Sequence, residues 1–343
     1  MRTNEEAERG ALHRRPPVWL VPTLAVATLV LASLAPAGAT VAGASPPRAL
    51  SLSDLTFTTP TLGWLRVSRV GQPAGALYRT TDGGARWSVV SAHVEATALA
   101  FRNRYDGVAA VPVLGSVGMC QVDLTVVTTT DGGATWGSPA PVHTQDAPSV
   151  LAFHGRRPFL LNGSCASPSA TVMAPGPSAA WTAVTELGGN AIRNGFPTVV
   201  NLTPSGSFAT LAYPATSTVR APVLRGFAYE APTRSWRAVA IDARYLPGRI
   251  VAVSFVQGKA GMVATVNGTD SAITLWSTED GGRHWRRDLT ALGQGVQADV
   301  DMVSVSVLYA AISGTSLPAG GAAIWKSTDG GLRWAEEPAP NAS

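Results

Sequence analysis

Charge is scarce in this sequence. Only 14% of the 343 residues are Asp, Glu, Lys or Arg, and just two of the 26 basic residues, Lys259 and Lys326, are lysines. No Lys/Arg-rich run occurs beyond the N-terminus, so the basic footprint of a nucleic-acid binder is missing and no nucleic-acid partner is expected. Cysteine is limited to two residues and histidine to five, with no Cys-x-x-Cys and no His-Glu-x-x-His. That rules out the usual zinc-ligand spacings, and no metal or other cofactor is expected. Gly-x-Ser-x-Gly and the phosphate-binding P-loop are also missing.

Only one uncharged apolar stretch is long, the 18 residues Val18–Ala35. It follows a segment carrying Arg2, Arg9, Arg14 and Arg15, and is followed by the small-residue triplets Ala37-Gly38-Ala39 and Ala42-Gly43-Ala44. Residues 1–44 therefore read as a signal peptide, with an uncleaved membrane anchor as the alternative, because 18 apolar residues just span a bilayer. The expected location is secreted or envelope-associated, with membrane contact only through that possible anchor. Residues 45–343 form the remaining domain.

What that domain has in abundance is turns and β-formers. Glycine and proline number 35 and 25, and Ala, Val and Thr fill much of the rest, a composition of many short strands. One pattern occurs four times, as Thr80–Trp87, Thr129–Trp136, Thr278–Trp285 and Ser327–Trp334: Ser/Thr-x-Asp-Gly-Gly-x-x-Trp. Its key residues are Asp82, Gly84 and Trp87; Asp131, Gly133 and Trp136; Asp280, Gly282 and Trp285; and Asp329, Gly331 and Trp334. The chemistry is that of a hairpin turn. The Asp can accept backbone N–H bonds, the Gly pair can take positive φ, the hydroxyl can tie strand to turn, and the Trp can bury its ring and satisfy its N–H locally. These residues are expected to build structure rather than to catalyse.

The Trp residues give a period. Trp87, Trp136, Trp181, Trp236, Trp285 and Trp334 are spaced 49, 45, 55, 49 and 49 residues apart, although the turns before Trp181 and Trp236 have lost the Asp-Gly-Gly. A second repetition runs alongside. Phe57, Phe101, Phe153, Leu202, Phe255 and Val303 each close an apolar strand, and a second begins near Trp64, Val108, Phe159, Phe208, Met262 and Tyr309. Four strands per unit at this spacing predict an all-β, six-bladed β-propeller of four-stranded blades, with seven blades as the alternative. Residues 50–58 could open blade 1 or complete the last blade.

The four repeats resemble Asp-box (BNR) repeats, found in sialidases, sortilin-type receptors, some large glycoside hydrolases and photosystem II assembly-factor propellers. With the pair Gly63-Trp64, the form is most similar to the last group and its bacterial relatives. The resemblance covers about residues 50–340 and implies architecture more than activity. A sialidase would hold its substrate carboxylate with three Arg, one of them in a Phe-Arg-Ile-Pro-like motif ahead of the first box, and would use a Tyr/Glu pair and an Asp. This chain offers Arg66 and Arg69 there without that motif, and Phe101-Arg102-Asn103-Arg104 follows box 1.

Cys120 and Cys165 each lie 16 residues before their unit's Trp, in matched loops. In an exported chain this predicts a disulfide between blades 2 and 3, worth about 4 kcal/mol in the chain-entropy model; two free buried thiols are the alternative. By the repeat register, Arg193, Arg220, Arg244, Tyr245 and Arg249 fall in loops opposite the box turns and form a candidate ligand site for an acidic group, though Arg is also the default loop cation of this chain. The pairs Asp299/Asp301 and Glu336/Glu337 read as solvated strand ends. The leading expectation is a monomeric, non-catalytic scaffold with a protein or glycan partner in the envelope. The alternative is a sialidase-like glycoside hydrolase or carbohydrate-binding propeller.

Overall fold

Among the described residues of the computed structural model, twenty-four strands follow one another, and each consecutive four make an antiparallel sheet. The structure describes residues 49–343 except 73, 114–122, 143–148, 165–167, 177–179, 189–196, 204, 216–220, 231, 269–270, 292–296, 315–320 and 341–343. All of these belong to one compact unit, Pro46–Ser343. The segment 1–44, both cysteines, Arg193 and Arg220 lie outside the described residues. Among the described residues no helix is long and apolar enough to cross a membrane.

Blade 1 comprises β1 (Leu50–Phe57), β2 (Gly63–Arg69), β3 (Gly75–Thr80) and β4 (Ser88–Val94), and blade 2 comprises β5 (Ala98–Phe101), β6 (Gly107–Pro112), β7 (Leu124–Thr129) and β8 (Ala140–Val142). Blade 3 holds β9 (Ser149–His154), β10 (Arg157–Gly163), β11 (Ala170–Pro175) and β12 (Trp181–Leu187). Blade 4 holds β13 (Val199–Leu202), β14 (Phe208–Tyr213), β15 (Val223–Glu230) and β16 (Ser235–Ala240). Blade 5 runs β17 (Arg249–Val256), β18 (Ala260–Val266), β19 (Ile273–Thr278) and β20 (Arg286–Ala291). Blade 6 runs β21 (Gln297–Met302), β22 (Leu308–Ser313), β23 (Ala322–Ser327) and β24 (Ala335–Glu337). The first strands of all six blades line a single channel of about 230 Å³, so the sheets form a closed six-bladed propeller. Residues 50–57 are the inner strand of blade 1, and no strand is exchanged with the last blade.

Burial explains which strands go where. The second strand of a blade is covered on both faces: every residue of β14 (Phe-Ala-Thr-Leu-Ala-Tyr) and β22 (Leu-Tyr-Ala-Ala-Ile-Ser) is buried. These continuous apolar runs could not sit at a rim. Outer strands such as β16 are mostly exposed. Between blades, the Phe that ends an inner strand stacks on an aromatic from the second strand of the preceding blade. Phe101 lies 4.0 Å from Trp64 and Phe57 lies 3.7 Å from Tyr309, in nearly parallel pairs. The glycine that opens the next strand makes room for each ring. A Cβ at Gly63 would lie 2.5 Å from Phe57, and one at Gly107 would lie 2.5 Å from Phe101.

Two expectations are corrected by packing. Asp301 is 4% exposed, and Asp299 is half-buried on the channel wall, so neither is a solvated strand end. Both are drawn inward because i and i+2 residues of a strand share a face, and here that face meets blade 1. Of the other pair, Glu336 is exposed and Glu337 is half-buried. The Trp N–H groups also behave differently from one another. Only Trp334 bonds within its own turn, to the Gly331 carbonyl, while Trp285 donates to Asp242 in the linker from blade 4. The N–H groups of Trp87 and Trp136 are buried without a partner.

Candidate functional site

The four Asp-Gly-Gly turns are built alike. In the first, the Thr80 hydroxyl donates to Asp82 Oδ1 at 2.9 Å and accepts the Gly84 N–H at 2.9 Å, while Asp82 Oδ1 accepts the Arg86 N–H at 2.9 Å. Thr129/Asp131, Thr278/Asp280 and Ser327/Asp329 repeat this set. Backbone hydrogen bonds hold the carboxyls of Asp82, Asp280 and Asp329 below the usual range, and at Asp131 the Thr135 hydroxyl contributes most. The first glycine N–H of each turn donates to the loop between the blade's first two strands: Gly83 to Thr61, Gly132 to Tyr105, Gly281 to Lys259 and Gly330 to Ser306.

The second glycine faces the preceding blade. A Cβ at Gly133 would meet Leu77 at 2.6 Å, at Gly282 it would meet Ile241 at 2.5 Å, and at Gly331 it would meet Asp288 at 2.2 Å. Each also has positive φ, from 82° to 97°. These turns are therefore locks between blades, and Oδ1 of each Asp is taken up by hydrogen bonds from its own turn.

The seam between blades 6 and 1 is held differently, by side chains that reach the free N–H groups of β1. Asp299 Oδ2 accepts from Leu55 N–H at 2.7 Å, Asp301 Oδ2 from Phe57 N–H at 2.5 Å, and Ser313 Oγ from Leu52 N–H at 2.7 Å. Asp54, at φ 56°, sits at the bulge of β1 and pairs with Arg66 at 2.7 Å. Burial pushes Asp299 up to about 7, with the Asp54 charge adding to it, and burial likewise pushes Asp301 up to about 7. Farther out, Tyr309 Oη donates to the carbonyls of Pro60 and Gly83, and Lys326 Nζ donates to Gly83 O at 2.9 Å. The sequence reading missed this cluster. Its one signal was the Asp-x-Asp spacing in an otherwise apolar inner strand.

Among the described residues, a cavity of about 740 Å³, larger than the channel, lies on the rim between blades 4 and 5. One wall is β16 from Arg237 to Ala240 and the linker Ile241–Arg244; the other is the blade-5 turn, with Glu279, Gly281 and Arg283, and Lys259 beside it. The linker is fixed there because Asp242 N–H donates to Gly282 O at 2.8 Å. Of the predicted ligand residues that are described, Arg244 lines this groove. Its guanidinium is held by Asp242 at 2.6 Å, a pairing that lowers the Asp242 carboxyl and raises Arg244. Tyr245 is 77% exposed, with the Arg244 guanidinium 5.7 Å from its ring centre, and Arg249 is exposed at the start of β17. Arg244 and Tyr245 thus meet.

No protein-family model matches the chain, and no curated protein matches it. Solved structures do. A Hadza microbial sialidase superposes with a TM-score of 0.51 at 13% identity, over 84% of this chain and 65% of the sialidase. A Bacteroides fragilis protein assigned to the 6-phosphogluconolactonases gives 0.48 at 16% identity, over 82% of each chain. An ulvan lyase of polysaccharide lyase family PL25 gives 0.47 at 10% identity, over 83% of this chain and 80% of the lyase. The likeness is one of fold. At these identities the chemistry of those proteins is not carried over to this chain.

Proposed function

We propose that this chain is an exported, non-catalytic Asp-box propeller that serves as a protein-binding or assembly scaffold of the cell envelope. The observation that carries the reading is the allocation of its polar groups. The carboxyls nearest the channel are committed to the ring itself, Asp299 and Asp301 to β1 N–H groups and Asp54 to Arg66. A broad concavity of about 740 Å³ instead opens on the rim, lined by strand backbone, four cations (Arg237, Arg244, Lys259 and Arg283) and three acids (Asp242, Glu279 and Asp280). A broad lateral groove suits a polypeptide better than a small molecule, which favours an enclosed pocket.

A sialidase-like hydrolase is the second reading. It is favoured by two carboxyls brought near 7 beside a channel, a range suited to proton transfer at neutral pH. Purified protein incubated with a fluorogenic sialoside separates the two. The scaffold reading expects no turnover, together with one stoichiometric partner cross-linked in the native envelope. Turnover that disappears in Asp299→Asn or Asp301→Asn would reverse the order of the two readings.

A further inference from the structure

We propose that β16 is a strand-addition edge: an extended, carboxylate-bearing segment of a partner protein pairs with β16 and lies along the groove between blades 4 and 5. This rests on the scaffold reading above and names how the partner is held. An outer strand with free N–H and C=O groups is a template for another strand, and proteins blunt such edges with short strands or bulges. Five of the six outer strands are blunted. β8 and β24 have three residues each, and bulges or register shifts interrupt the pairings of β4, β12 and β20. β16 alone pairs its inner neighbour without interruption over six residues, from Arg225↔Ala240 to Glu230↔Ser235. No described strand lies on its outer side. Its exposed Ala238 and Ala240 are small enough for a backbone to approach.

The same strand borders the rim cavity of about 740 Å³, an independent observation. Charge selects the occupant. Among the cavity's acids, Asp242 is taken by Arg244, and Asp280 by its own turn and His284. Among its cations, Lys259 and Arg283 are exposed and form no ion pair among the described residues. Two uncommitted cations thus face one uncommitted acid, Glu279. Successive residues of an added strand alternate sides about every 3.4 Å, so carboxylates at every second position would face Lys259 and Arg283. Main-chain pairing supplies affinity and the alternate side chains supply selectivity.

A displayed library of random dodecapeptides, selected on the full chain, tests this without altering the protein. The expected binders carry Asp or Glu at alternate positions. N-methylation of one alternating set of peptide amides abolishes binding, while methylation of the other set leaves it. The double variant Lys259→Glu/Arg283→Glu weakens binding by about tenfold or more and flattens its salt dependence. Hydrogen exchange slows at β16 amides on binding. The proposal is overturned if no peptide is selected, if the binders lack carboxylates, if both methylated sets bind equally, or if sedimentation shows two copies of this chain pairing through β16. In those cases the scaffold reading still stands or falls on the sialoside and cross-linking results.

Discussion

Replacing Asp301 by Asn should remove much of the pH dependence of this protein's stability near neutrality. Asp301 sits at the blade 6–blade 1 seam, 4% exposed, with its Oδ2 accepting the Phe57 N–H, and burial raises its carboxyl from 3.8 to about 7. Between those two values the folded state keeps a proton that the unfolded chain releases. Stability from this group is therefore complete below about pH 4 and is lost as pH rises through about 7. Raising one carboxyl by this amount corresponds to about 4 kcal/mol, and Asp299 acts in the same direction. The amide of Asn can still accept the Phe57 N–H but never ionises. Urea midpoints for wild type and Asp301→Asn, taken from pH 5 to pH 8.5, read the effect. The wild type should lose several kcal/mol across that range and the variant about half as much. Parallel pH profiles for the two proteins would refute the burial argument. So would a wild type that becomes more stable as pH rises.

Other outcomes follow from the same geometry. Gly63→Ala should destabilise by about 1–3 kcal/mol, because its Cβ would lie 2.5 Å from Phe57; adding Phe57→Leu should recover part of that loss in thermal unfolding. Gly282→Ala, at φ 82° and with Ile241 2.5 Å from the new Cβ, should cost a similar amount, whereas Gly71→Ala meets nothing within 4 Å and bears only the strain of its φ of 83°. Asp280→Ala leaves the N–H groups of Arg283 and His284 and the Thr278 hydroxyl without their acceptor and should lower stability by about 1–3 kcal/mol in urea titration. The carboxyls of the Asp-Gly-Gly turns lie below their usual range, so their contribution is present above the unfolded value of 3.8 and is lost as pH falls through the lowered ones. Acid unfolding of the wild type should therefore begin below pH 4.

The sequence by itself determined the repeat, and with it the fold. Turn chemistry is local: a Thr, an Asp and two glycines within five residues complete a hydrogen-bond set wherever they occur, so four copies were visible without a structure. The inner-strand Phe residues and the six Trp residues were legible for a related reason, since each blade repeats the same burial at nearly the same interval. The tertiary structure decided what no interval contains. Asp301 meets Phe57 across 244 positions, and Tyr309 meets Gly83 across 226, because closing a ring brings the first and last blades together. The same closure made Asp299 and Asp301 seam residues rather than surface ones. The rim groove likewise depends on how the blade-4 linker docks on the blade-5 turn, and that contact drew Arg244 toward Asp242 beside the turn. Short-range periodicity fixes a blade; the contacts between blades depend on how the blades stack, and only the folded ring sets them.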